Sequence, residues 1–397
     1  MTEDSLFANY KRAPVAFSHG DGVRLWDTQG REYLDFLAGI AVSSLGHSHP
    51  ALTEAITRQA GRYLHVSNLF RIREQERAGE SLVDATKGLL HSAFFCNSGA
   101  EAVEAAIKLA RRYAYDRDGS GDRHRIVTAE GGFHGRTLGA LAATATPAYQ
   151  VGFGPLPGGF ASVPFGDLEA AASEIDGTTC AVLIEAIQGE AGVIEPPEGY
   201  LEGLQALCRE RGALFILDEV QTGIGRLGRA YGFQHYGLEP DVVTLAKGLG
   251  GGVPVGAVLA RSEVASALVP GTHGTTFGGN PLASAAVRAV LETVFDPDFL
   301  ERVTRAGEYL RALLGQLKAG GLVTEVRGQG LMTAIECTPD AADVANRCLE
   351  NGLIVNAPRA HSIRMLPPLV VHDPEIERAV GILAHCLEAQ TLEDGAA

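Results

Sequence analysis

The chain has 397 residues and a formal net charge of −15, with 46% apolar and 20% charged side chains. That length suits one large domain plus a smaller one, with ample material for a core. The acidic balance argues against a nucleic-acid groove or an anionic membrane surface, so arginines serving an anionic substrate would have to be placed deliberately. The opening "MTEDSLFANYKR" lacks a basic n-region and an apolar h-region, and no apolar run approaches the roughly 20 residues that span a bilayer, so a cytoplasmic protein is expected.

In chain order, residues 1–49 read as part of a small domain with short strands around "GVRLWDTQGREYLDF"; His47 and His49 lie close together but lack further ligands, so no metal site is expected. From about residue 92, six short apolar runs alternate with helical periods: "SAFFCNSG", "RIVTAEGG", "CAVLIEAIQG", "ALFILDEVQ", "DVVTLAKG" and "VGAVLAR". The alternation predicts an α/β fold with a mainly parallel central sheet sandwiched by helices, here assigned to residues 50–291. Residues 292–397 mix helix patterns with "VTEVRGQGLMTAIEC" and "SIRMLPPL", which predicts that a smaller α+β domain is built from both chain ends. Six scattered cysteines without a C-x-x-C pair fit reduced, mostly buried thiols.

In such sheets the chemistry sits beyond the carboxyl ends of the strands. "CNSGAEAVEAAIKLAR" passes from strand to helix, with Ser98 and Glu101 as a capping box. Either this is only a well-capped helix, or the amides of Ser98, Gly99 and Ala100 bind a phosphate group. A helix terminus favours an anion by only ~0.3 to 1 kcal/mol, so other groups must complete such a site. "ALFILDEVQTG" places Asp218 after five apolar residues, where a carboxylate needs a positive partner such as a protonated pyridine nitrogen. "TLAKGLGGGVPVG" carries a single charge, Lys247. It is either a surface-turn lysine or, given the two neighbouring corners, the amine that forms a Schiff base with the aldehyde of pyridoxal phosphate. "GIGRLG", Gly223 to Gly228, is a literal G-x-G-x-x-G. Four residues separate it from its strand and a poor helix follows, so a dinucleotide fold is not expected.

These motifs, with "YLDFLAGIAVSSLGHSHP", "GGFHGRTLGAL", "EAIQGEAGV", "HGTTFGGNPLA", "VRGQGLM" and "RMLPPL", run in one order along nearly the whole chain. Together they resemble the class III aminotransferases, pyridoxal-phosphate enzymes of the aspartate-aminotransferase fold (fold type I), and most closely the acetylornithine-specific members. The resemblance implies that Lys247 is the Schiff-base lysine and proton carrier. It also implies that Asp218 pairs with the ring nitrogen, that Val220 and Phe133 contact the ring faces, and that Gln221 approaches the ring hydroxyl. Ser98, Gly99 and Ala100 would hold the phosphate, joined by Thr276 of the partner subunit in a homodimer with shared sites, and Thr275 would approach the substrate. Arg136 and Arg364 would be carboxylate clamps, with Glu190 the acidic switch that pairs Arg364 when no substrate carboxylate is there. Weaker roles fall to His134, as a loop support, and to Glu185, as a group orienting Gln221.

The implied reaction moves the terminal amino group of N-acetylornithine to 2-oxoglutarate, as in arginine biosynthesis. Two positions depart from the family pattern, Gly131 and Ser43, and both bear on the donor. Ornithine-specific relatives offer an aromatic hydroxyl near the position of Ile40, where this chain has only hydrocarbon. Ornithine, 4-aminobutyrate, succinylated donors and a carrier-protein-linked aminoadipate semialdehyde derivative are the alternative substrates. A noncatalytic cofactor-binding protein of the same fold is the alternative of another class.

Overall fold

Seven strands form the central sheet of the computed structural model, which describes residues 5–396. Across the sheet they run Ser92–Cys96, Gly256–Ala260, Val242–Leu245, Leu214–Asp218, Thr179–Glu185, Arg125–Ala129 and Phe160–Val163. All point the same way except Gly256–Ala260, which pairs antiparallel with both neighbours. Every residue of Thr179–Glu185 and Leu214–Asp218 is buried, as strands covered by helices on both faces must be. Six of these strands are the apolar runs of the sequence. The seventh, Phe160–Val163, is a short, half-exposed edge whose residues carry no apolar run.

Register decides what meets at the carboxyl ends. Glu185 lies opposite Asp218, and Asp218 opposite Thr244, so three polar side chains stand in a row across three parallel strands. Three residues beyond Thr244 comes Lys247, opening a short 3-10 turn, Lys247–Gly250.

The chain ends supply two further sheets. Phe17–Asp21, Arg24–Asp27 and Glu32–Asp35 form one with Leu353–Ile354, which pairs parallel to Glu32–Asp35. Glu325–Gln329, Met332–Glu336, Ser362–Met365 and Asn356–Arg359 form the other, with Arg364 opposite Ala334. Helix Pro281–Val294, capped by Asn280 through a 2.9 Å bond from the Ala283 amide, leads from the central layers into the terminal ones. It runs without a break across residues 291 and 292, where the sequence pattern suggests a boundary.

After Glu32–Asp35 the chain turns sharply through Gly39 and Ile40, at φ +65° and +66°. A β-branched residue in the left-handed region costs on the order of 1–2 kcal/mol. The turn is held by Asp35, whose Oδ1 accepts the amides of Leu37 and Ala38 at 3.0 and 2.7 Å and whose Oδ2 binds His47 at 2.8 Å. All six cysteines are buried and none is in a disulfide.

Candidate active site

Beyond the strand ends lies a cavity of about 420 Å³ whose lining includes Lys247, Asp218, Val220, Gln221, Phe133, Arg136, Glu190 and the Ser98–Ala100 turn. Its size is in the range of small-molecule sites. Lys247 stands at φ +45°, strain that a non-glycine residue tolerates only where its surroundings over-determine it. Its amine, open only to the cavity, has no hydrogen-bond partner among the described residues. Burial lowers the Lys247 pKa below the ordinary lysine value, helped by the Arg364 charge and opposed by the carboxylates of Glu190, Glu185 and Asp218. The shift brings the neutral amine, the form that can act as nucleophile and base, closer to reach than on an exposed lysine.

Asp218 is almost fully buried and held at both oxygens. Oδ1 accepts from the Thr244 hydroxyl at 3.0 Å and the Val220 amide at 3.1 Å, while Oδ2 accepts from His134 Nδ1 at 2.7 Å. His134 thus orients the carboxylate, a closer role than loop support. Burial opposes its charging, but the bond to Asp218 and the charges of Asp218 and Glu185 outweigh it, and the His134 pKa is raised. Its Nε2 has no hydrogen-bond partner among the described residues. Glu185 makes no hydrogen bond to Gln221: its carboxylate accepts the amides of Phe133 at 2.9 Å and Gly189 at 3.2 Å, and burial pushes its pKa up to about 7. It fixes the backbone of Phe133 instead. Glu219, next to Asp218, faces away and accepts the amides of Gly232 and Phe233 at 2.7 and 2.5 Å.

At the other end of the cavity, helix Gly99–Asp118 begins with Ser98 as its cap, the hydroxyl accepting from the Glu101 amide at 3.2 Å. The return bond of a capping box is shifted by one residue, because Glu101 Oε2 takes the amide and side chain of Asn97, both at 2.8 Å. The amides at the start of a helix have no partner within it, and Ser98, Gly99 and Ala100 all line the cavity. A Cβ at Gly99 would sit 3.0 Å from Val220, and one at Gly135 would sit 2.8 Å from Ala100. Both glycines let the segments of Val220 and Phe133 close onto the helix start.

The two arginines differ in kind. Arg364 is fully buried, its Nη1 donating to Glu190 Oε1 at 2.7 Å, to the Gly189 carbonyl at 2.9 Å and to Gln221 Oε1 at 3.2 Å. Gln221 also donates to Glu190 at 3.2 Å, so it belongs to the Arg364 network. Burial opposes ionisation of Glu190, yet Arg364 outweighs it and holds the carboxyl below its usual range. Arg136 is exposed at the cavity wall and lies over the rings of Tyr149 and Phe133, at 4.0 and 5.4 Å from their centroids, with no carboxylate partner among the described residues.

Thr275 and Thr276 do not line the cavity of their own chain. Thr275 accepts from Asn97 Nδ2 at 3.1 Å and Thr276 is exposed. Gly131, Ser43 and Ile40 are absent from the lining too, whereas Val42 is part of it. Gly131 stands at φ +76°, where a Cβ would lie only 3.0 Å from Gln188 Oε1, which explains the glycine through backbone geometry. Sequence reasoning missed Thr244 and Asn97. Thr244 was detectable as the one hydroxyl in a buried apolar strand.

A helix start offering free amides, an anchored buried carboxylate and an unpartnered amine around one cavity fit pyridoxal phosphate, through its phosphate, ring nitrogen and aldehyde in turn. The sequence profile described as "Aminotransferase class-III" matches residues 6–387. The chain belongs to the class III aminotransferases. Among curated relatives, this aminotransferase is 48% identical to the acetylornithine aminotransferase of Caldanaerobacter subterraneus, over 95% of this chain and 96% of that one. It is 46% identical to that of Aquifex aeolicus, over 96% and 99%. Among solved structures, ornithine aminotransferase from Toxoplasma gondii superposes with a TM-score of 0.94 at 36% identity, covering 98% and 94% of the two chains. N-acetylornithine aminotransferase from Stenotrophomonas maltophilia gives 0.83 at 35% identity, covering 96% and 97%. Class III aminotransferases use pyridoxal phosphate, and a second Toxoplasma structure holds it at partial occupancy in the active site.

Proposed function

We propose that this enzyme transfers the terminal amino group of N-acetylornithine to 2-oxoglutarate, giving N-acetylglutamate 5-semialdehyde and glutamate in arginine biosynthesis. The observation that carries the reading is the contrast between the two arginines: Arg136 free at the wall, Arg364 buried and neutralised by Glu190. An enzyme that alternates between an ω-amine and an α-amino dicarboxylate needs one permanent carboxylate clamp and one that is engaged only in the second half. The names of relatives at 44–48% identity agree with this donor.

Pyridoxal phosphate supplies an aldehyde for the amine and a protonated ring that accepts the electrons released when the donor C–H bond breaks. Lys247 Nζ would carry the proton from the donor carbon to the cofactor within the first half-reaction, and would run the same transfer in reverse with 2-oxoglutarate in the second. Asp218, fixed by Thr244, Val220 and His134, would present its carboxylate to the ring nitrogen. Ser98, Gly99 and Ala100 hold the phosphate, and Phe133, Val220 and Gln221 position the ring. Arg136 grips the far carboxylate of N-acetylornithine while Glu190 stays on Arg364. With 2-oxoglutarate, Arg364 exchanges Glu190 for the α-carboxylate, so a buried charge is never left alone.

A homodimer completes this reading. Thr276 of the partner subunit would reach the phosphate, consistent with its exposure here and with the nearby apolar side chains Leu69, Phe70 and Phe277, exposed by 90%, 70% and 59%. The two chain ends would form the smaller domain, in a cytoplasmic enzyme; no helix among the described residues is long and apolar enough to cross a membrane. The test is to supply N-acetylornithine labelled at its terminal nitrogen together with 2-oxoglutarate. Labelled glutamate and semialdehyde in equal amounts are expected, and unlabelled glutamate would refute the reading.

A further inference from the structure

The "GIGRLG" segment holds no nucleotide loop, but it contains an unusual group. Arg226 is 2% exposed, and no carboxylate among the described residues pairs with it. Its Nη1 donates to the carbonyls of Leu331, at 3.0 Å, and Pro367, at 2.6 Å, and its own carbonyl accepts the Leu331 amide at 3.0 Å. Burial with no counter-charge draws its pKa down to about 9, a cost that a neutral donor would avoid.

Leu331 immediately precedes strand Met332–Glu336 and Pro367 follows strand Ser362–Met365, and these strands pair with Thr333 opposite Met365. Arg226 therefore clips together the ends of the two strands, one of which carries Arg364. On its other side it lies five residues beyond Gln221, in the loop that leaves Asp218. The contact is close: a Cβ at Gly330, where φ is +54°, would lie 2.4 Å from the Arg226 carbonyl. From Leu369, just past Pro367, an amide bonds to the Ser44 carbonyl at 2.7 Å, and the Ser44 hydroxyl donates to the Gly248 carbonyl at 2.9 Å, beside Lys247.

We propose that Arg226 is a positioning residue for the Arg364 clamp, fixing the strand that carries Arg364 against the loop that carries the cofactor contacts. It rests on the reading in which Arg364 takes the α-carboxylate of glutamate and 2-oxoglutarate while Arg136 serves the ω-amine donor. Displacing the strand end moves Arg364 and leaves Arg136, which lies on a different loop, where it is.

The test compares Arg226→Met, which keeps the stem and removes the donors, with Arg226→Lys, which restores a donor, in the cofactor-loaded enzyme. Each half-reaction is measured separately, with glutamate and with N-acetylornithine. Arg226→Met should lower kcat/KM for glutamate by about tenfold or more, mainly through KM, and that for N-acetylornithine by less than about threefold, with Arg226→Lys recovering most of the loss. In an Arg364→Ala background the same change should cost less than about a further twofold. Equal losses in both halves, or an undiminished effect in the Arg364→Ala background, would overturn the proposal. Should Arg226→Met not fold, Gly330→Ala perturbs the same junction with Arg226 intact and is held to the same ratio. If wild-type enzyme rejects N-acetylornithine, the donor reading fails while the comparison continues with the best ω-amine; if it rejects glutamate, both fall before any variant is made.

Discussion

Replacing Glu190 with glutamine tests the switch through a gain of function. Arg364 has no exposed side-chain surface and Glu190 keeps 24%, so their 2.7 Å pair is only weakly screened. Removing one partner of a buried pair costs about 3–5 kcal/mol. Glutamine retains an acceptor oxygen, so a cost below that range, about 2–3 kcal/mol, is appropriate. The penalty falls on the free enzyme and on the complex with N-acetylornithine alike, because neither puts a carboxylate on Arg364. Only glutamate or 2-oxoglutarate relieves it. In single-turnover absorbance measurements of the bound cofactor, kcat/KM for glutamate should therefore rise by about 30- to 150-fold, while that for N-acetylornithine stays within about threefold. No rise with glutamate, or a loss shared by both half-reactions, would refute the switch.

Lys247→Ala should still bind pyridoxal phosphate, seen by equilibrium dialysis, yet lose turnover; retained turnover would remove Lys247 from the mechanism. Thr244→Val deletes the hydroxyl on Asp218 Oδ1 at an expected cost of about 1–2 kcal/mol, which should slow both half-reactions alike by about five- to thirtyfold. A selective effect on one half would contradict a role through Asp218. Burial raises the Glu219 pKa from 4.5 to about 7, so the folded chain binds more protons than the unfolded one in that window and stability falls as pH rises through it. The apoprotein of Glu219→Gln should lose less melting temperature than wild type between about pH 5 and 7.5; an unchanged slope would exclude that contribution.

The buried parallel strands were legible because strands covered on both faces must be continuously apolar, and Asp218 and Lys247 were legible as charges interrupting those runs. Phe160–Val163, an edge strand with one face open, leaves no such mark. Side-chain partners were harder to read than positions. Glu185 was expected on Gln221 and instead holds the Phe133 amide, because the parallel register sets it beside Asp218, opposite the Phe133 loop. The Ser98–Glu101 motif was recognisable by spacing, but its shift onto Asn97 depends on a loop angle that spacing does not encode. Ile40 was expected at the donor end, whereas the left-handed turn at Gly39 and Ile40 puts Val42 on the wall. Arg226 sat in a motif read only for its glycines, and its purpose appears only once two distant strand ends are brought to it.

The most direct test of the proposed function is a ranking of kcat/KM for N-acetylornithine, N-succinylornithine, ornithine, 4-aminobutyrate and a carrier-linked amine at one 2-oxoglutarate concentration. In the proposed function free ornithine would bring an unacylated ammonium toward Arg136 in a cavity whose lining includes the hydrocarbon of Val42, and an unpaired polar group there would cost about 1–3 kcal/mol. N-acetylornithine should therefore exceed ornithine by about five- to a hundredfold and lead the series. A lead for free ornithine or for the carrier-linked amine would contradict the account.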